Sequence, residues 1–117
     1  MILAATIGAL AFPALAATYP VAGKWGAGAP PSKDPVDCSK LRVISFDGNQ
    51  RTDTGGGVPA YRNRSVTPDG ATQYRIIDVF SNGQISDGQS AYVLRKVDAN
   101  HIELTQSAGT LKLQRCK

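Results

Sequence analysis

The sequence predicts an all-β protein: an antiparallel up-and-down barrel of about eight short strands, with a two-sheet β-sandwich as the alternative. Three observations carry this prediction. Apolar residues do not recur at i, i+3 and i+4 over any long window, so no amphipathic helix is indicated. Short runs rich in β-branched and aromatic residues recur instead, bounded by Gly, Pro, Asn and Asp. The connections between them are mostly short, which requires antiparallel neighbours. Closing such a meander into a barrel also removes exposed sheet edges.

The elements follow in order. Residues 1–16 carry no charge. Ile2 to Leu15 reads as the apolar core of a secretory signal peptide, and Ala14-Leu15-Ala16 as its small-x-small cleavage site. Pro13 interrupts the run, which is shorter than the roughly 20 apolar residues a spanning helix needs. No membrane span is therefore expected after cleavage, and residues 17–117 form one domain. Val21 to Gly26 is the first strand. Ala27 to Lys40, with Pro30, Pro31 and Pro35, is a loop. Leu41 to Phe46 is the second strand, and Asp47-Gly48 is a hairpin turn signal. Gln50 to Asp53 returns as a short third strand.

The second half of the chain is more regular. Ala60 to Thr67 is a strand, and Pro68-Asp69-Gly70 turns the chain. Thr72 to Phe80 follows, ended by Ser81-Asn82-Gly83, and Asp87-Gly88 marks a further turn. Ser90 to Val97, His101 to Gln106 and Thr110 to Arg115 complete the meander. Thr72–Phe80 and Ser90–Val97 are apolar on both faces in places, which predicts a cover over their outer surface or a partner there.

Cys38 and Cys116 are the two cysteines, and in an exported domain an even number reads as one disulfide. The pairing creates a topological tension. In a strict eight-strand meander Cys38, just before the second strand, lies at the opposite barrel end from Cys116. Either the Ala27–Asp37 loop doubles back or one strand is false, Gln50–Asp53 being the suspect. Two distant cysteines and the single His101 do not complete a tetrahedral metal site, so neither metal nor cofactor is expected.

Gly23-Lys24-Trp25 opens the first strand and Arg115 stands near the end of the last. This resembles the calycin pattern of lipocalin- and avidin-type barrels. The resemblance implies an Arg packed over the Trp at one barrel end, adjacent first and last strands, and a small-molecule ligand. The chain is shorter than true lipocalins and lacks their other motifs. It is also similar in general look to short exported proteins of alphaproteobacteria.

Candidate chemistry is sparse. Asp53-Thr54-Gly55 matches the aspartic-protease string, but Asn49 to Thr52 before it are polar where that site needs an apolar strand end. Gly55-Gly56-Gly57 lacks the Lys-Ser/Thr of a phosphate loop. His101 and Glu103 share a strand face, without a nucleophile. Arg62, Arg64 and Val66 alternate on one face, with Arg75 beside them, as a basic face. The net charge of +4 is mild, and export argues against nucleic acid as partner.

The expectation is a periplasmic or secreted binding protein and not an enzyme. In the first reading it takes a small apolar or amphipathic ligand, with Trp25, Phe46, Tyr61, Tyr74, Tyr92 and Arg115 as candidate contacts. In the second it is a protein-binding envelope module, such as a lysozyme or protease inhibitor, using the loops Asp53–Pro59 and Ser86–Ser90 with the Arg62/Arg64 face. A third reading is a structural envelope protein. An empty apolar interior favours the first and a filled one the second.

Overall fold

The computed structural model describes residues 17–81 and 84–117. The predicted signal peptide and the Asn82-Gly83 part of one predicted turn lie outside the described residues. Eight antiparallel strands, and no helix among the described residues, close into a barrel in sequence order. They are β1 (Gly23–Ala27), β2 (Arg42–Asp47), β3 (Gln50–Asp53), β4 (Tyr61–Pro68), β5 (Gln73–Phe80), β6 (Gly88–Asp98), β7 (His101–Gln106) and β8 (Gly109–Arg115).

Alternation sets the interior. Trp25, Ile44, Phe46, Ile76, Leu94, Ile102 and Leu113 point inward and are almost fully buried. At one end, hereafter the base, β8 lies beside β1, with Arg115 opposite Trp25. The Arg115 guanidinium carbon stands 4.4 Å from the Trp25 ring, and its Nε donates to the Ala99 carbonyl. An Arg over a largely desolvated indole contributes about 1 to 2 kcal/mol and plugs this end. Tyr19 reinforces the base: its N–H donates to the Gly48 carbonyl and its ring meets Phe46 edge-on at 4.9 Å. Gly48 sits in the β2–β3 turn at φ 65°, a conformation that favours glycine.

The topological tension resolves through the loop. Residues 28–37 double back across the outside of β7 and β8. Gln114, facing outward, holds this strap with its amide: Nε2 donates to the Ala29 and Pro30 carbonyls, and Oε1 accepts from the Ser32 N–H. His101 contacts the Ser32 carbonyl, and Val36 forms a parallel bridge with Cys116. The chain then returns over β1, where Cys38 bonds Cys116 with Cα atoms 5.6 Å apart. The disulfide fits an oxidising environment outside the cytoplasm.

The structure removes one doubt and corrects one expectation. Gln50–Asp53 is a genuine strand: its polar inward residues, Arg51 and Asp53, are neutralised by partners within the barrel. Val66 does not share a face with Arg62. A β-bulge between Asn63 and Ser65 inserts Arg64 and reverses the alternation, so Asn63 and Val66 both face in. Finally, among the described residues the strap lies over β7, β8 and β1, so of the two expectations for β5 and β6, a cover or a partner, the strap does not supply the first. Closure is thinnest between β3 and β4, which share two registered pairs. Below Asn63, β4 has a strand neighbour on its β5 side alone among the described residues.

Candidate functional site

The barrel end opposite the Trp25–Arg115 plug is open. There the upper halves of the strands leave a cup of about 380 Å³. Its walls include the inward residues Ile44, Leu104 and Leu111 and the rings of Tyr61 and Tyr92, with Ser90, Gln106 and Thr110 toward the rim. Apart from Thr110 at the edge, these side chains are in place because each occupies an inward position of its strand: Arg51 is registered with Phe46 and Tyr61, and Asp53 with Ile44.

A buried ionic cluster forms the floor. Asp78 is fully buried on β5, and a charge there is tolerable only when paired and hydrogen-bonded. Arg51 Nε donates to Asp78 Oδ2 at 2.8 Å, Tyr92 Oη donates to the same oxygen at 2.9 Å, and Asn63 Nδ2 donates to Oδ1 at 3.1 Å. The guanidinium of Arg51 lies 3.8 Å from the centre of the Tyr61 ring and 5.0 Å from that of Tyr92. Burial pushes the Tyr92 phenol well above its ordinary range, so it remains a neutral donor. Burial also raises Tyr19, whose hydroxyl lies in the field of Asp78 and Arg51 without a hydrogen-bond partner in bonding geometry. Asn63 Oδ1 is buried and unpartnered too.

The rim carries a second ion pair. Arg42 Nε and Nη2 reach the two oxygens of Asp53 at 2.9 and 2.7 Å, and the Gly55 N–H donates to Oδ1 at 2.8 Å. Burial alone would raise the Asp53 carboxyl, but the hydrogen bonds from Arg42 and Gly55 outweigh it and hold it below the ordinary value. The Asp53-Thr54-Gly55 string is thereby a clasped turn: the Thr54 hydroxyl accepts from Val43 N–H, and the carboxylate is occupied.

The sequence candidates divide by height in the barrel. Tyr61 and Tyr92 line the cup. Trp25 and Phe46 are 1% and 2% exposed in the sealed lower core, and Arg115 stacks at the base. Tyr74 packs against the same core, with Lys96 Nζ 5.8 Å from its ring. Arg62, Arg64 and Arg75 are all exposed, but Arg75 is engaged by Asp69 at 3.5 Å. Glu103 pairs with Arg95 and His101 with Asp98, so the two share a face but not a hydrogen bond. Sequence reasoning missed Arg51, Asp78 and Asn63. The signal was present in Asp78, a lone acid inside the run Arg75 to Phe80, which demanded a cationic partner on an inward position of another strand.

Among the described residues no group of three or more His, Cys, Asp or Glu side chains converges as a metal site. No protein-family model, curated protein or solved structure matches the chain.

Proposed function

We propose that this is a non-enzymatic, periplasmic or secreted binding module that engages a protein partner through the rim and cup at its open end. The observation that carries this reading is the filled interior. Below the cup, core side chains and a buried ion pair occupy the space a hollow carrier would keep empty. The remaining concavity is open and of mixed polarity, suited to a protruding group of a partner. The pre-paired states of Asp53, His101 and Glu103 support a binding role over catalysis, since each candidate catalytic group is already committed to a structural contact. A calycin-like kinship belongs to the same proposal, supported by the eight-strand closure and by Arg115 over Trp25.

The test is site-directed photocrosslinking in a bacterial periplasm. A photoreactive side chain at Gln106, on the rim, is expected to capture a discrete partner. The same group at Lys112, on the outer face of β8, is expected to capture none. Equal capture from both sites, or none from either, would refute docking at the open end.

A second reading, a small amphipathic ligand in the same cup, is favoured by the apolar wall of Ile44, Leu104 and Leu111 facing two tyrosine rings. Native mass spectrometry distinguishes it: a mass increment lost on denaturation supports a bound small molecule.

A further inference from the structure

We infer that the group entering the cup is an uncharged amide presented by the partner protein, an Asn or Gln side chain, held by the free edge of Arg51; this rests on the proposed docking at the open end. Charge balance comes first. The cup and its floor contain two cations, Arg42 and Arg51, and two anions, Asp53 and Asp78, already joined in pairs. Their charges cancel. A carboxylate or ammonium entering here would be desolvated with no net opposite charge to receive it, and burying an ion on such terms is costly.

Donor geometry comes second. Arg51 is 5% exposed and, among the described residues, makes its hydrogen bond to Asp78 through Nε. Its two Nη groups make no hydrogen bond in bonding geometry among the described residues; the guanidinium lines the cup, with its carbon 3.8 Å from the centre of the Tyr61 ring and the Tyr19 hydroxyl beside it on the core side. Arg42 likewise commits Nε and Nη2 to Asp53. The cup is therefore lined by guanidinium groups with uncommitted N–H donors, in a cluster whose charges cancel. A neutral carbonyl oxygen is the acceptor that matches this set. The amide nitrogen of the same group finds acceptors in Ser90 Oγ or the Gln106 amide oxygen near the rim, and the methylenes behind it lie against Leu104 and Leu111.

The experiment compares three probes of one chain length, hexanamide, hexanoate and hexylammonium, titrated into the whole domain and followed by NMR. Hexanamide is expected to shift the Arg51 side-chain signals and the Leu104 and Leu111 methyls saturably. Hexanoate and hexylammonium are expected to bind about tenfold or more weakly. Replacement Arg51→Lys, which retains the charge opposite Asp78, is expected to abolish the preference for the amide while leaving the methyl shifts. Tighter binding of hexanoate or of hexylammonium overturns the charge argument and leaves rim docking standing. Absence of binding by all three overturns the amide site, and crosslinking from Gln106 then decides the docking reading separately. Should Arg51→Lys fail to fold, the order of affinities for the three probes on the wild type decides the question by itself.

Discussion

Arg51 and Asp78 show how a single residue pair organises this barrel. Replacing one partner leaves the other charged and desolvated. Asp78→Asn is therefore expected to lower stability by about 3 to 5 kcal/mol, read as a shift in the urea midpoint. The double replacement Arg51→Met with Asp78→Asn should recover a large part of that loss, because no uncompensated charge remains. His101 behaves differently, because its contacts are on the surface. Nδ1 lies 2.7 Å from Asp98 Oδ1 and Nε2 lies 2.6 Å from the Ser32 carbonyl, so only the protonated ring donates to both. The Asp98 contact, chiefly, raises the His101 pKa above its ordinary value, and the His101 contact lowers that of Asp98. A raised histidine stabilises fully below its unfolded pKa of about 6.5 and loses that contribution as pH rises through the folded value. A lowered carboxylate contributes above its unfolded value of about 3.9 and loses it as pH falls through the folded one. The difference in melting temperature between the wild type and His101→Gln should therefore be largest near pH 5 to 6 and smallest in alkali, where the neutral ring keeps one hydrogen bond at most.

Among the elements, the β1 strand and the returning strap depend on Gly26. A Cβ there would stand 2.6 Å from Cys38 Sγ and 2.9 Å from Leu41 Cδ1. Gly26→Ala should thus push the strap off β1 and cost about 1 to 3 kcal/mol, with faster proteolysis within residues 28–37 as the local readout. Element placement was largely legible beforehand because turn signals such as Asp47-Gly48 and Pro68-Asp69-Gly70 punctuate the chain at each reversal. Two features were not. The strap's path is set by long-range contacts of Gln114, His101 and Cys116, which leave no local pattern. The bulge at Arg64 adds one residue to a strand, and alternation read from sequence assumes that none is added. The candidate site was legible in its aromatics, Tyr61 and Tyr92, and in the two loops that bring Asp53, Gly56 and Ser90 to the cup. Its ionic half depended on doubting or accepting β3, and the doubt hid Arg51.

For the whole molecule, the disulfide ties the strap to the seam where the first and last strands meet. Its partners are 78 residues apart. Removing a cross-link over such a loop costs about 4 to 5 kcal/mol by the chain-entropy argument, a figure strain can reduce. Cys38→Ser with Cys116→Ser should lower the melting temperature by many degrees while the far-ultraviolet circular dichroism of the folded state is unchanged. The seam also receives support from Arg115 over Trp25, so the reduced protein should retain the barrel at low temperature rather than lose it outright.

The half-paired lower stretch of β4 has a consequence for crowding. A strand with one open flank is a template on which another chain can grow, and repeated growth gives fibres. Here the flank is broken three ways: Arg64 interrupts its regular spacing, the same residue brings charge, and Pro68 removes a donor at its end. The barrel thus guards its loosest join against polymerisation, and the guard is written into the same bulge that turns Asn63 toward the ionic floor of the cup.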